Sequence, residues 1–170
     1  MIYTIGYSNR GLPEFLNELT SRGIRQLWDV RSSPWSRNAS FNAPQIIQWS
    51  ERAGIYYRQC GSIFGGRSEI ALDDPCYINL LGALTNAANT EIVAIMCAEG
   101  DPALCHRSWD IGASLLLKCN VSATNILRDG TIEDIGATIN RVNRRNFAPA
   151  ILSALDGMEP FNWPEKNWFC

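Results

Sequence analysis

Residues 91–109 constrain this chain more than any other stretch. An apolar, β-branched run from Ile92 to Met96 reads as a strand buried on both faces, the pattern of a parallel sheet. Glu99, Gly100, Asp101 and Pro102 then form a turn with a helix start signal, Asp101 as N-cap and Pro102 at the first helical position. The pattern predicts a helix over Cys105–Lys118. Cys105, His106 and Arg107 fall in or beside its first turn, where free backbone N–H groups and the helix dipole favour anions and thiolates. His106 is the chain's one histidine. A strand delivering these side chains to a helix start marks an active or ligand-binding site.

The rest of the chain repeats the same alternation. Ile2 to Ile5 reads as a strand ending at Gly6, and Leu12 to Arg22 as a helix with apolar residues at 12, 15, 16 and 19. Ile24 to Val30 is a second strand, with Asp29 and Arg31 at or just past its end and two residues apart, so on one side of it. Residues 32–42 are polar, contain Pro34, and embed Trp35 and Phe41, a long loop of the binding kind. Ala43 to Ala53 is a helix, Ile55 to Arg58 a third strand, and residues 60–67 a glycine-rich loop holding Gly65, Gly66 and Arg67. Paired glycines let backbone approach a ligand, and a tight turn explains them equally well. A helix runs from Pro75 to about Asn89, a fifth strand from Ser122 to Leu127, and a last helix from about Thr131 to Arg145.

Five strand–helix alternations predict a single α/β domain over residues 1–146, a mainly parallel sheet of about five strands with helices on both faces, Rossmann-like and doubly wound. Residues 147–170, rich in proline and tryptophan, are expected to pack on the same domain as a tail. In such folds ligands bind beyond the carboxyl ends of the strands. That rule gathers Ser8, Asn9, residues 29–37 and residues 97–107 onto one rim.

Charge sharpens the picture. The net charge is only −2, yet residues 31–67 hold five arginines (31, 37, 52, 58 and 67) against one acid, Glu51. Arginine suits bidentate binding of phosphate or carboxylate, and solvated surface arginines paired elsewhere account for the excess equally well. The six cysteines show no C-x-x-C pair, and the start of the chain goes straight into a strand pattern. Reduced thiols and a cytoplasmic location are therefore expected, with no membrane association. No metal ligand set and no Walker loop stand out, so no cofactor is called for.

The candidate catalytic residues are Asp29, Glu99, His106 and Cys105. Asp29 with Arg31 reads as a carboxylate held by a guanidinium, either a general base or a structural pair bracing residues 32–42. Glu99 follows a buried strand, where partial desolvation would suit it to acid catalysis, and a plain turn carboxylate is the alternative. His106 has Asp110 one helical turn on to orient its ring. Cys105 is better placed than Cys97 for a reactive thiol, although helical neighbours point about 100° apart, so contact with His106 does not follow. The phosphatase and rhodanese pattern, a cysteine followed six residues later by arginine, is missing; those positions are Ala103 and Ile111. Candidate phosphate-binding residues are Ser8, Asn9, Arg31, Ser32, Arg37, Gly65, Gly66, Arg67 and Arg107.

Taken together, Tyr3–Ser8 (YTIGYS), Trp28–Pro34 (WDVRSSP), Gly54–Tyr56 (GIY), Gly65–Gly66, Met96–Glu99 (MCAE) and Cys105–Arg107 (CHR) resemble the domain-of-unknown-function 488 family, from the N-terminus to about residue 129. The resemblance implies an α/β domain and brings no established reaction.

Three readings remain open. One is a metal-independent enzyme, a hydrolase or transferase, acting by acid/base chemistry on a nucleotide or nucleic acid. Another is a nucleic-acid-binding module without catalysis, with Trp35 and Phe41 stacking on bases. The third is a thiol-based or metal-binding protein using Cys97, Cys105 and His106. The expected partner is a small phosphate-bearing ligand or a nucleic acid.

Overall fold

The computed structural model describes residues 1–8 and 10–156. Its elements in chain order are β1 (Ile2–Gly6), α1 (Leu12–Ser21), β2 (Gln26–Asp29), α2 (Ala43–Arg52), β3 (Tyr56–Gln59), α3 (Gly61–Phe64), α4 (Pro75–Thr90), β4 (Val93–Cys97), α5 (Ala113–Cys119), β5 (Ala123–Ile126), β6 (Ile132–Asp134), α6 (Ile135–Arg141) and α7 (Pro149–Asp156). The six strands form one sheet in the order β3-β2-β4-β1-β5-β6. The first five are parallel and β6 pairs antiparallel with β5.

The expected doubly wound sheet is present, and β4 lies at its centre with every residue buried. Side chains alternate across a strand, so β4 feeds two cores. Val93, Ile95 and Cys97 face the side covered by α4, α5, α6 and α7, where Leu81, Leu84, Leu115 and Ile139 pack. Ala94 and Met96 face α1 and α2, meeting Phe15, Leu19 and Ile46. Phe147, Ile151 and Leu155 join the first of these clusters. No described helix is long and apolar enough to cross a membrane.

The chain departs from the sequence expectation where a short helix, α3, occupies Gly61–Phe64 within the expected glycine-rich loop, and in two further places. The helix expected over residues 131–145 begins with a strand: β6 occupies Ile132–Asp134, and α6 starts only where the Asp134 carboxylate accepts from the Gly136 N–H at 2.7 Å. Ile132 supplied an apolar position in register with Ile135 and Ile139, but it is exposed on the edge strand. The signature helix also starts late. Asp101 and Pro102 do open a helical turn, with the Asp101 side chain on the Ala103 N–H, but it is a 3-10 turn over Pro102–Leu104. Cys105 is then extended (φ −127°, ψ 137°), and helix resumes as a π-type turn over Arg107–Gly112 running into α5.

Pro160, Trp163, Pro164, Trp168 and Cys170 lie outside the described residues, as does Asn9.

Candidate active site

Four parallel strands end on the same side of the sheet, and the segments leaving them enclose a cleft of about 510 Å³. Tyr7 follows β1, Arg31 to Ser33 and Trp35 follow β2, Gly66 and Arg67 follow β3, and Cys97 to Glu99 close β4; Leu104, Cys105, His106 and Trp109 complete the wall. Adjacent strands β4 and β1 send their connections to opposite faces, and a crevice opens at that switch point.

The wall at the end of β4 is built from Cys97, Cys105 and His106. One ligand atom from each lies within 4.8 Å of the other two. Cys105 Sγ is 3.8 Å from His106 Nδ1. The other ring nitrogen, Nε2, is 3.2 Å from the Val30 carbonyl, an acceptor only, so Nε2 carries the proton and Nδ1 faces the thiol. Because Cys105 is extended and His106 already helical (φ −56°, ψ −22°), the two side chains turn toward each other. The 100° separation of helical neighbours does not apply.

This arrangement separates the two thiols chemically. The neighbouring Cys97 thiol pulls the Cys105 thiol well below its ordinary range; burial opposes this, and His106 and the Arg107 charge add to it. The Cys105 neighbour and burial push the Cys97 thiol up. Burial alone would keep His106 neutral, but the Cys105 sulfur, the Val30 carbonyl and Asp110 outweigh it and raise its pKa. Asp110 is itself pushed up to about 6, mainly by burial. Cys60, by contrast, is an inert core thiol that burial raises to about 12.

Arg31 lines the cleft while braced from behind. Its Nε and Nη2 donate to the two Asp29 oxygens at 2.8 and 2.5 Å, and Nη1 donates to the Phe41 carbonyl at 2.8 Å. The guanidinium also lies 5.2 Å from the centre of the Tyr7 ring, which stacks on Phe41 at 4.3 Å. Arg67 is exposed on the cleft with no acid partner among the described residues. The Ser32 hydroxyl accepts from the Arg67 N–H at 2.9 Å and ties the two loops together.

Several residues expected to face a ligand do structural work instead. The Asp29 carboxylate is buried and receives Arg31 through both side-chain and backbone donors, with the Tyr57 hydroxyl at 2.6 Å, so its oxygens are taken up by the chain's own donors. Arg107 is wholly buried: Nε donates to Thr4 Oγ1 at 3.0 Å, and the Nη atoms donate to the Glu99 and Gly100 carbonyls. It holds the 99–100 turn in place rather than binding an anion. Glu99 lines the cleft but is exposed, so the burial expected of it is absent.

The glycine loop packs rather than cradles. A Cβ on Gly65 would lie 2.2 Å from the Gly61 carbonyl oxygen, and one on Gly66 would lie 3.0 Å from His106 Nδ1. Ser8 lines a separate hollow with Gly100, Asp101 and Arg128, and Arg37 is exposed outside the cleft. Phe41 is buried in the core and offers no stacking face. Cys97 and Cys105, eight residues apart across the turn and grouped with His106 in the third reading of the sequence, lie together with it here. The signal for this was the placement of one cysteine at a strand end and the other ahead of a helix.

Fold and site together define a doubly wound α/β domain with a cysteine–histidine cluster at the carboxyl rim of its sheet. Residues 11–75 match the model of the family described as domain of unknown function DUF488, in agreement with the motif resemblance. No curated protein matches the sequence. A solved structure of a provisionally assigned protein tyrosine phosphatase from Leishmania major is similar at 15% identity and a TM-score of 0.42, covering 93% of this chain and 86% of that chain.

Proposed function

We propose that the protein is a cysteine-dependent hydrolase or transferase acting on a phosphate-bearing substrate, with Cys105 as nucleophile and His106 as proton carrier. The observation that carries this reading is the Cys97–Cys105–His106 cluster in the wall of the cleft, with His106 Nδ1 turned to the Cys105 sulfur. A thiolate stabilised by a neighbouring thiol, an imidazolium and a buried guanidinium is an activated nucleophile.

The step balances on the chain's own groups. The Cys105 thiolate attacks phosphorus, an S–P bond forms, and the bond to the leaving oxygen breaks as His106 Nδ1–H protonates that oxygen. His106, now neutral at Nδ1, takes a proton from water or an acceptor alcohol, which attacks phosphorus and releases the thiolate. Glu99, exposed on the cleft, is the carboxylate available to assist that second proton transfer.

The remaining walls support the substrate class. Arg67 supplies donors for an anion, and Trp35, 64% exposed, offers a ring face on which a nucleobase stacks. A nucleotide has both parts. A nucleic-acid-binding module without catalysis is favoured less, because the basic stretch does not form one surface. Arg31 is committed to Asp29, and Arg58 lies over Trp28 at 4.4 Å from its ring centre.

The test is incubation of the full chain with a panel of nucleotides and aryl phosphates, chelator present, followed by acid quench and mass mapping. A phosphoryl adduct on Cys105 and loss of turnover in Cys105→Ser support the reading. Turnover retained in Cys105→Ser overturns it, as does the absence of turnover and adduct across the panel.

A further inference from the structure

We propose that Cys97, Cys105 and His106 also form a three-donor zinc site whose fourth position opens into the cleft, so that zinc silences the Cys105 nucleophile. The silencing rests on the thiol reading above; the site itself does not.

The donor set is the first argument. Two thiolates and an imidazole nitrogen suit zinc, and three protein ligands with one open position are the pattern of sites that accept a water or substrate. Geometry is the second. Bond lengths of about 2.3 Å to sulfur and 2.0–2.1 Å to nitrogen place tetrahedral donors about 3.5–3.8 Å apart. The Cys105 Sγ to His106 Nδ1 separation is 3.8 Å, and all three donor atoms lie within 4.8 Å of one another. Small side-chain rotations suffice to close the set.

The third argument is the shell around the donors. A metal-binding histidine characteristically donates its other ring N–H to a carbonyl or carboxylate, which fixes the ring and aims the free nitrogen. His106 does this through Nε2 and the Val30 carbonyl at 3.2 Å, with Nδ1 turned to the cysteines. Cys97 ends the central strand β4, and Cys105 lies between the Pro102–Leu104 and Arg107–Gly112 turns. All three residues line the cleft, so the fourth position faces solvent and any bound substrate. Two thiolates neutralise the 2+ charge of zinc, and the nucleophile becomes a metal ligand.

The experiment titrates the reduced full chain with Zn²⁺ against a chromophoric chelator and repeats the titration in Cys97→Ser, Cys105→Ser and His106→Gln. The expected result is one equivalent bound with a dissociation constant below about 1 µM, weakened about 100-fold or more in each variant. Co²⁺ in the unaltered chain should give the intense visible bands of a tetrahedral thiolate site, a readout that survives if a variant fails to fold. Stoichiometric Zn²⁺ should also protect Cys105 from iodoacetamide. Binding weaker than about 10 µM, affinity unchanged in the variants, or a weak octahedral Co²⁺ spectrum overturns the site. Tight binding without protection of Cys105 overturns the silencing. Neither result touches the adduct experiment above, which is run with chelator present.

Discussion

Cys105 and His106 are neighbours in the chain whose side chains meet, Sγ lying 3.8 Å from Nδ1 on the wall of the cleft. The contact exists because Cys105 is extended and His106 begins the helical run that continues into α5. Behind the ring sits Gly66, where an added Cβ would lie 3.0 Å from Nδ1 and 3.1 Å from Cγ.

That close approach gives a graded test. Gly66→Ala should force the His106 ring to shift by a few tenths of an ångström while costing no more than about 1 kcal/mol of stability. Cys105 alkylation should slow several-fold with the melting curve nearly unmoved. Wild-type reactivity in this variant would show that the ring position does not govern the thiol.

Asp29 and Arg31 are expected to carry stability rather than catalysis. Asp29→Asn keeps the shape but leaves a buried guanidinium without its counter-charge, a class of change that costs about 3–5 kcal/mol. Urea unfolding should reveal a loss of that order. A loss under about 1 kcal/mol would mean that the pair is better solvated than its burial indicates.

The parts of this account that were legible in the sequence are those that depend on periodicity. Ile92 to Met96 reads as a doubly buried strand because nothing polar interrupts it, and β4 is central for the same reason. Asp29 and Arg31 are visible as a pair because residues two apart share a side of a strand. What the residues alone do not reveal is who satisfies a charge. Arg107 beside Cys105 and His106 reads as an anion ligand, yet its donors go to Thr4 and to the carbonyls of Glu99 and Gly100, acceptors that any residue type supplies. The last helix reads as starting too early because Ile132 extends the apolar period of α6 through a three-residue edge strand.

Arg67 isolates anion binding from folding, which Arg31 cannot do. Its side chain is exposed on the cleft with no acid partner among the described residues. Arg67→Ala should weaken a phosphate-bearing ligand about ten-fold, the loss of one charge-assisted contact of roughly 1.5 kcal/mol. Calorimetric titration with a nucleotide and a parallel melting curve check this. Unchanged affinity would remove Arg67 from the site.

Asp110 predicts a pH signature. Burial raises its carboxyl from 3.8 to about 6, so the folded protein holds this proton more tightly than the unfolded chain. Near pH 4 and below the two states hold this proton almost equally and the group contributes little; between about pH 4 and 6 the penalty of the partly buried carboxylate grows, and above about 6 it is constant. Asp110→Asn removes that penalty. The variant should therefore gain stability over wild type at pH 7–8 and converge with it near pH 4. A gain of equal size at both pH values, or a loss at pH 7–8, would contradict the assignment.

The central claim is that Cys105 is the activated thiol of this protein, and its alkylation rate tests that directly. The reduced full chain, held at neutral pH with chelator, is pulsed with iodoacetamide, and each cysteine is quantified by mass mapping. Cys105 should be modified at least about ten-fold faster than Cys97 and Cys60, with the advantage lost in His106→Gln. Alkylation of Cys105 no faster than that of the core thiol Cys60 would contradict the account.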